Sequence, residues 1–231
     1  MAGIEIKVMT SNALRTVFGE LIPAFARAHG IKINATYDPA KRVQKRLAAG
    51  ETADVVVSNL PAVERMIGEG LIDAASRREF ARYGIGIAVK AGAPKPDIST
   101  VDAFKRTLLQ ARSIACTVEG ASGIYFAELV ERLGIADAVN PKASRQPGGL
   151  CAEQLLDGRA DIAIQQVPEL LAAGAGIELA GLLPDALQKM SVLSAGVFNA
   201  SAQAAASRTL IEFLAAPDAS RLFKAAGFDP L

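Results

Sequence analysis

Five short segments of this sequence gather the residue types that receive anions. Thr10-Ser11-Asn12 follows the β-branched run Ile4–Val8 and opens a helical pattern. A hydroxyl or amide there caps a helix, an interaction of about 1 kcal/mol, and the same exposed N–H groups and positive dipole end also receive anions. Asp38-Pro39-Ala40-Lys41-Arg42 places an N-cap carboxylate, a proline suited to the first helical position, and two cations in or beside the first turn. Cations there oppose the helix dipole by about 0.3–1 kcal/mol each. Val43 and Leu47 mark the buried stripe of this helix, and a solvated basic face accounts for Lys45 and Arg46. Lys41 and Arg42 are explained better by an anion held between them. Glu119-Gly120-Ala121-Ser122-Gly123-Ile124-Tyr125 starts another helix with small residues that let a ligand approach the backbone closely, and Ser122 adds a hydroxyl donor. Gln146-Pro147-Gly148-Gly149 has the same form. Gln165 and Gln166 end the run Ile162-Ala163-Ile164 with two uncharged amides, which suit a polar cleft better than a core. Ordinary capped turns account for each segment taken singly; several turns pointing at one gap make a site.

Other chemistry is excluded by count. The single histidine, His29, sits before Gly30, where a cation suits a helix end, so neither a Ser-His-Asp triad nor a histidine-rich metal site is expected. Cys116 and Cys151 have no metal-type spacing and read as two buried thiols or one disulfide. No metal and no cofactor are expected. The 231 residues carry 25 Lys+Arg against 24 Asp+Glu, and aromatics are 5% with no tryptophan. A net charge of +1 lacks the basic footprint of a nucleic-acid binder. The longest stretch without Lys or Arg, 160–188, is broken by Asp161, Pro168, Glu169, Glu178 and Asp185, so no membrane insertion is expected. Met1-Ala2-Gly3 runs straight into the first strand without the pattern of a secretory signal. The protein is therefore expected in the cytoplasm, or in the periplasm after removal of a signal.

The elements that must position these turns alternate. Strands are expected at Ile4–Val8, Ile31–Tyr37, Asp54–Ser58, Ile85–Lys90, Ser113–Thr117, Asp161–Gln165 and Val192–Phe198. Between them lie helical stretches. The first is carried by Leu14, Val17, Phe18, Leu21, Ile22 and Phe25, with Pro23 expected to bend it and Gly30 to stop it. Others span about Pro39–Ala49, Pro61–Glu69, Thr100–Gln110, Ser122–Leu133, Gly148–Asp157, Ala202–Ala215 and Pro217–Ala226. This order predicts α/β architecture with mainly parallel sheets, divided into lobe I (1–82 plus 193–231) and lobe II (83–192). Hinges are expected near 83–84 and 190–194, with a ligand cleft between the lobes, at the carboxyl ends of the strands.

Ser11-Asn12-Ala13, Ala49-Gly50-Glu51-Thr52-Ala53-Asp54-Val55-Val56-Val57-Ser58, Ala121-Ser122-Gly123-Ile124-Tyr125 and the ending Ala225-Ala226-Gly227-Phe228 resemble the type 2 periplasmic solute-binding proteins, in the branch around molybdate-binding proteins. The resemblance covers nearly the whole chain. It implies two Rossmann-like lobes, two crossover strands and a hinged cleft. Carried over by position, it implies oxyanion contacts at Ser11, at Ala121-Ser122-Gly123, near Gly148, and at Gln166 in place of the family's tyrosine. The Pro39-Ala40-Lys41 segment stands where the family has a second serine. Lys41, Arg42, Gln165 and Gln166 in place of neutral hydroxyls suit a planar di- or tricarboxylate better than molybdate. The ligand-binding set is thus Ser11, Asn12, Lys41, Arg42, Ser122, Gly123, Gly148, Gln165 and Gln166. A monomer is expected, serving an ABC permease if exported. The same branch resembles an aconitate isomerase, for which Lys41 and Tyr125, with Asp38 and Glu119, are candidate proton carriers. A ligand-sensing regulatory module is a third reading, without a DNA-binding segment to support it.

Overall fold

The computed structural model describes residues 3–231, the side chains of Ala40, Lys41 and Gln44 lying outside the described set. In chain order the elements are β1 (Glu5–Thr10), α1 (Arg15–His29), β2 (Lys32–Tyr37), α2 (Ala40–Ala48), β3 (Val55–Asn59), α3 (Leu60–Gly68), β4 (Arg78–Tyr83) and β5 (Ile85–Lys90). There follow α4 (Val101–Gln110), β6 (Ile114–Thr117), α5 (Ala121–Arg132), α6 (Ala136–Val139), β7 (Ala143–Gln146), α7 (Glu153–Leu156), β8 (Ile162–Gln166), α8 (Val167–Ala172) and β9 (Ile177–Leu182). The chain ends with β10 (Ser191–Val197), α9 (Ala204–Leu214), α10 (Pro217–Ala225) and β11 (Asp229–Pro230). Two compact units result. One comprises the chain up to Asp38 with Arg42–Tyr83 and Ser191–Leu231, the other Pro39–Lys41 with Gly84–Met190.

The first unit holds a six-stranded sheet in the order β11-β4-β10-β3-β1-β2. β1 is parallel to both β2 and β3, while β10 is antiparallel to β3 and β4. Side chains alternate across it as strand geometry requires. Val55 and Val57 join Ile6, Val8 and the α1 stripe of Val17, Phe18, Leu21 and Phe25, whereas Val56 faces Val63, Met66, Ile72 and Phe198 on the other side. Fully burying a phenylalanine such as Phe25 stabilises by about 1.5–3 kcal/mol. The first helix runs through Pro23 and stops where Gly30 takes φ +66° and donates to the Ala26 carbonyl. His29 closes that helix against the rings of Phe25 and Phe213, at 4.6 and 6.0 Å.

The second unit holds a five-stranded sheet in the order β7-β6-β8-β5-β9. β6 is parallel to β7 and β8, and β5 antiparallel to β8 and β9. Both sheets are therefore mixed. Parallel pairing belongs to strands linked through helices; β5 and β10, the strands by which the chain enters the second unit and returns to the first, run against their neighbours. Ile114, Cys116, Ile162 and Ile164 pack with α4 and α5, while Ala115, Ala163, Cys151, Leu155 and Leu170 fill the opposite face. The two cysteines are free and buried on opposite faces of one sheet, and burial pushes both thiols up.

The helix expected over Gly148–Asp157 is shorter. Only Glu153–Leu156 is α-helical, because Gly149 takes φ +86° and turns the chain before it. No helix among the described residues is long and apolar enough to cross a membrane.

Candidate functional site

In the first unit the end of β1 carries Ser11, whose backbone is extended (φ −97°, ψ 161°) and whose carbonyl accepts from Leu14 N–H at 3.1 Å. Its side chain makes no capping bond, and the buried Oγ has no hydrogen-bond partner. Capping therefore does not account for this hydroxyl. Asn12 is buried, and its Oδ1 accepts from Arg15 Nη2 at 3.4 Å. The Arg15 guanidinium also stacks 4.6 Å above the Tyr37 ring. The sequence reading missed this cation beside the Ser11 turn, although its position three residues after Asn12 was a usable signal.

The start of α2 supplies its own anion. Asp38 accepts from Arg46 Nη1 and lies 3.7 Å from Arg42 Nη1, while Arg46 also grips Glu51. Arg46, expected on a solvated face, is thus a partly buried bridge, and Arg42 stands beside Asp38 with a largely exposed side chain. The Lys41 side chain lies outside the described residues.

In the second unit Thr117 ends β6 and the chain turns through Gly120 into α5. The helix sits so close to the strand that a Cβ on Gly123 would lie 1.7 Å from the Thr117 carbonyl oxygen, and one on Gly120 2.7 Å from Thr117 Oγ1. Ser122, in the first turn, is 1% exposed; its Oγ and Thr117 Oγ1 are both buried without partners. First-turn N–H groups have no intrahelical acceptor, so hydroxyl and backbone donors share one short segment. Thr117 was not singled out from the sequence. Glu119 lies in the same turn, its N–H donating to Pro147 O at 3.0 Å.

Tyr125 is buried one turn further into α5. Its hydroxyl donates to Leu187 O at 2.8 Å and accepts from Arg132 Nη2 at 3.1 Å, with Lys189 Nζ 5.0 Å from its ring centroid. That hydroxyl is engaged in holding structure.

The two adjacent glutamines have different fates. Gln165 accepts from Cys151 N–H at 3.0 Å and donates to Gly149 O at 2.8 Å, so both ends of its amide fasten the 148–151 turn. Gln146 donates to Gly148 O at 2.8 Å and accepts from Gln154 Nε2, also at 2.8 Å. Gly148 thus sits in a turn held by the buried Gln165 amide and the partly buried Gln146 amide. Gln166, 7% exposed, keeps a buried Oε1 without a partner.

Glu169 follows in α8. Burial pushes its carboxyl up to about 7, against hydrogen bonds from the Gln165 amide and Gln166 N–H that favour the ionised form. Nothing in the sequence distinguished it from an ordinary first-turn acid. An unfolded glutamate near 4.5 has released its proton where the folded one still holds it. The folded state is thus favoured below about pH 4.5, and that advantage fades as pH rises to about 7. Glu169 retains some exposed surface, which screens part of the effect. Glu169→Gln is accordingly expected to raise stability by about 1–2 kcal/mol at pH 8 and by nothing at pH 4.5, as read by urea unfolding at both values.

Among the described residues no group of three or more His, Cys, Asp and Glu side chains could hold a metal ion. The arrangement is instead one of neutral donors at strand ends, with arginines on the first unit.

Residues 6–229 match the bacterial extracellular solute-binding proteins, and the chain belongs to that family. Within reach by sequence is an aconitate isomerase from Pseudomonas sp, 33% identical over 232 residues, covering 98% of this chain and 88% of the relative. Among solved structures, the periplasmic molybdate-binding protein of Azotobacter vinelandii superposes with a TM-score of 0.78 at 19% identity, covering 96% of this chain and 98% of that one. The sulfate-binding protein of Mycobacterium tuberculosis does so with 0.77 at 20% identity, covering 99% and 87%. These two likenesses speak to the fold, the two-lobed α/β architecture of periplasmic binding proteins.

Proposed function

We propose that this protein captures a small organic anion, a di- or tricarboxylate rather than molybdate, and delivers it to an ABC permease from the periplasm. The observation that carries the reading is the pair of buried, unpartnered hydroxyls, Ser11 Oγ just after β1 and Ser122 Oγ in the first turn of α5. Leaving a buried polar group unsatisfied costs about 1–3 kcal/mol, which a ligand oxygen would recover. Arg42 and Arg15 supply cations on the first unit, and planar guanidinium matches carboxylate better than it matches a compact tetrahedral dianion. Lys41 joins them in this reading. Asn12, Gly123 and Gly148 act through position, by holding Arg15, the α5 start and the 148–151 turn; Gln165 acts in the same way, and Gln166 faces the ligand. Tyr125 and Asp38, engaged by neighbouring groups, are set aside as proton carriers.

A second reading rests on the relative named aconitate isomerase: the bound acid is an unsaturated tricarboxylate whose double bond shifts by proton transfer. That reaction needs one group to accept and return a proton and cations to stabilise a dienolate-like transition state. Lys41 and Glu119 are the residues at the turns suited to the first task.

Incubation with cis-aconitate in D2O separates the readings. Capture alone gives a calorimetric binding isotherm and no deuterium incorporation, whereas isomerisation gives deuterated cis- and trans-aconitate by NMR. A thermal shift with molybdate and none with any C4–C6 carboxylate would overturn both.

A further inference from the structure

Resting on that reading of an organic anion, we propose that the ligand is a hydroxycarboxylate whose hydroxyl donates a hydrogen bond to Gln166 Oε1. On β8 the side chains of Ile162, Ile164 and Gln166 share one face by strand parity. Ile85, the cross-strand partner of Gln166, belongs to the same face, against which α5 packs. Gln166 therefore extends from the end of β8 on the side where α5 begins with Ser122. Its oxygen is buried and unpartnered.

The neighbouring residue makes this informative. Gln165 has the same side chain, also buried, and both its amide atoms are satisfied by the 148–151 turn. The chain thus meets the needs of a buried amide where the amide holds structure, and leaves one acceptor open where the strand ends. Two side chains around the α5 start, which also holds the Glu119 carboxylate in its turn, are of the opposite kind. Ser122 and Thr117 have hydroxyls that donate to an oxyanion. An amide oxygen repels a carboxylate oxygen and accepts only from a group that carries hydrogen. A ligand meeting both demands has a carboxylate for the hydroxyls and a hydroxyl of its own. Sites that hydrogen-bond a ligand hydroxyl discriminate strongly against the analogue lacking it, because the protein group is then left buried and unpaired.

Calorimetry with the whole chain tests this on two matched pairs, malate against succinate and citrate against tricarballylate, which differ only by the hydroxyl. The hydroxy acid of the pair that fits is expected to bind at least about tenfold more tightly. In Gln166→Leu the preference is expected to shrink to within about twofold, with folding verified by thermal melting. Equal affinities within both pairs in the natural protein would overturn the inference while leaving carboxylate capture intact. A preference that survives in Gln166→Leu would overturn the assignment to Gln166. Failure of all four acids to bind the folded protein would overturn the carboxylate reading itself. An unsaturated tricarboxylate carries no hydroxyl, so a strong hydroxyl preference also favours capture over isomerisation.

Discussion

Gly123→Ala is expected to destabilise the protein by about 3 kcal/mol or more, lowering the melting temperature by roughly 6–12 °C, and to abolish ligand binding in whatever fraction remains folded. The added methyl would lie 1.7 Å from the Thr117 carbonyl oxygen. That is about half the distance at which a carbon and a neighbouring heavy atom rest in contact. The atom in the way is backbone, so no rotamer change relieves the overlap. Either α5 lifts from the sheet or the end of β6 is pushed aside. Both movements carry Ser122 with them, because it occupies the adjacent position in the same turn. Gly19 is the control. It lies inside α1, where an added methyl would meet nothing within 4 Å, so Gly19→Ala is expected to stabilise by about 0.5–1 kcal/mol. Urea unfolding of the two variants side by side checks the contrast, and a Gly123→Ala protein as stable as the natural one would show that the α5 start does not need its close approach to the strand.

Gln165→Leu is expected to cost about 2–4 kcal/mol and to weaken ligand binding at least tenfold. Leucine is close to glutamine in size, so the loss is one of hydrogen bonding more than of packing. Cys151 N–H, fully buried, loses its acceptor, and Gly149 O, partly buried, its donor. Gln146, donating to Gly148 O, and the Cys151 thiol, directed at the Ala115 and Ile164 carbonyls, remain to hold the 148–151 turn, so it should loosen locally and the fold should persist. Amide hydrogen exchange at residues 149–152 should rise more than exchange elsewhere in the second unit. Glu169 feels the change as well. The Gln165 amide is one of the groups favouring its ionised form, so its carboxyl should move further up, and the fall of stability with rising pH should extend to higher pH. Uniform loss of protection across the unit would mean that Gln165 supports the fold generally and has no special hold on the turn.

The amide pair shows how far local sequence carries. Two glutamines after Ile162-Ala163-Ile164 announce polar business at a strand end, and strand parity puts them on opposite faces. Whether either is available to a ligand depends on what the opposing surfaces offer. Residues 149 and 151, in a separate turn, fasten Gln165, while Gln166 Oε1 has no partner among the described residues. The cations at the start of α2 teach the same lesson. Their clash with the helix dipole was visible and suggested a bound anion. Asp38, read as an N-cap and a candidate proton carrier, supplies negative charge to Arg42 and Arg46. Thr117 and Arg15 carried legible cues, a hydroxyl at a strand end and a cation one turn after Asn12. Glu169 carried none, since its ionisation depends on burial.

Periodicity and small-residue turns determined the α/β alternation, the buried stripes of α1 and α5, and the strand ends that carry hydroxyl and amide side chains. These follow from local rules: the alternation of a strand, the 3.6-residue turn of a helix, and the space that glycine leaves. Tertiary structure alone decided the mixed strand directions, the shortening of the helix before β8, the open acceptor on Gln166 and the near-neutral proton on Glu169. Hydrogen-bond satisfaction and desolvation are set by groups brought close only when distant segments pack.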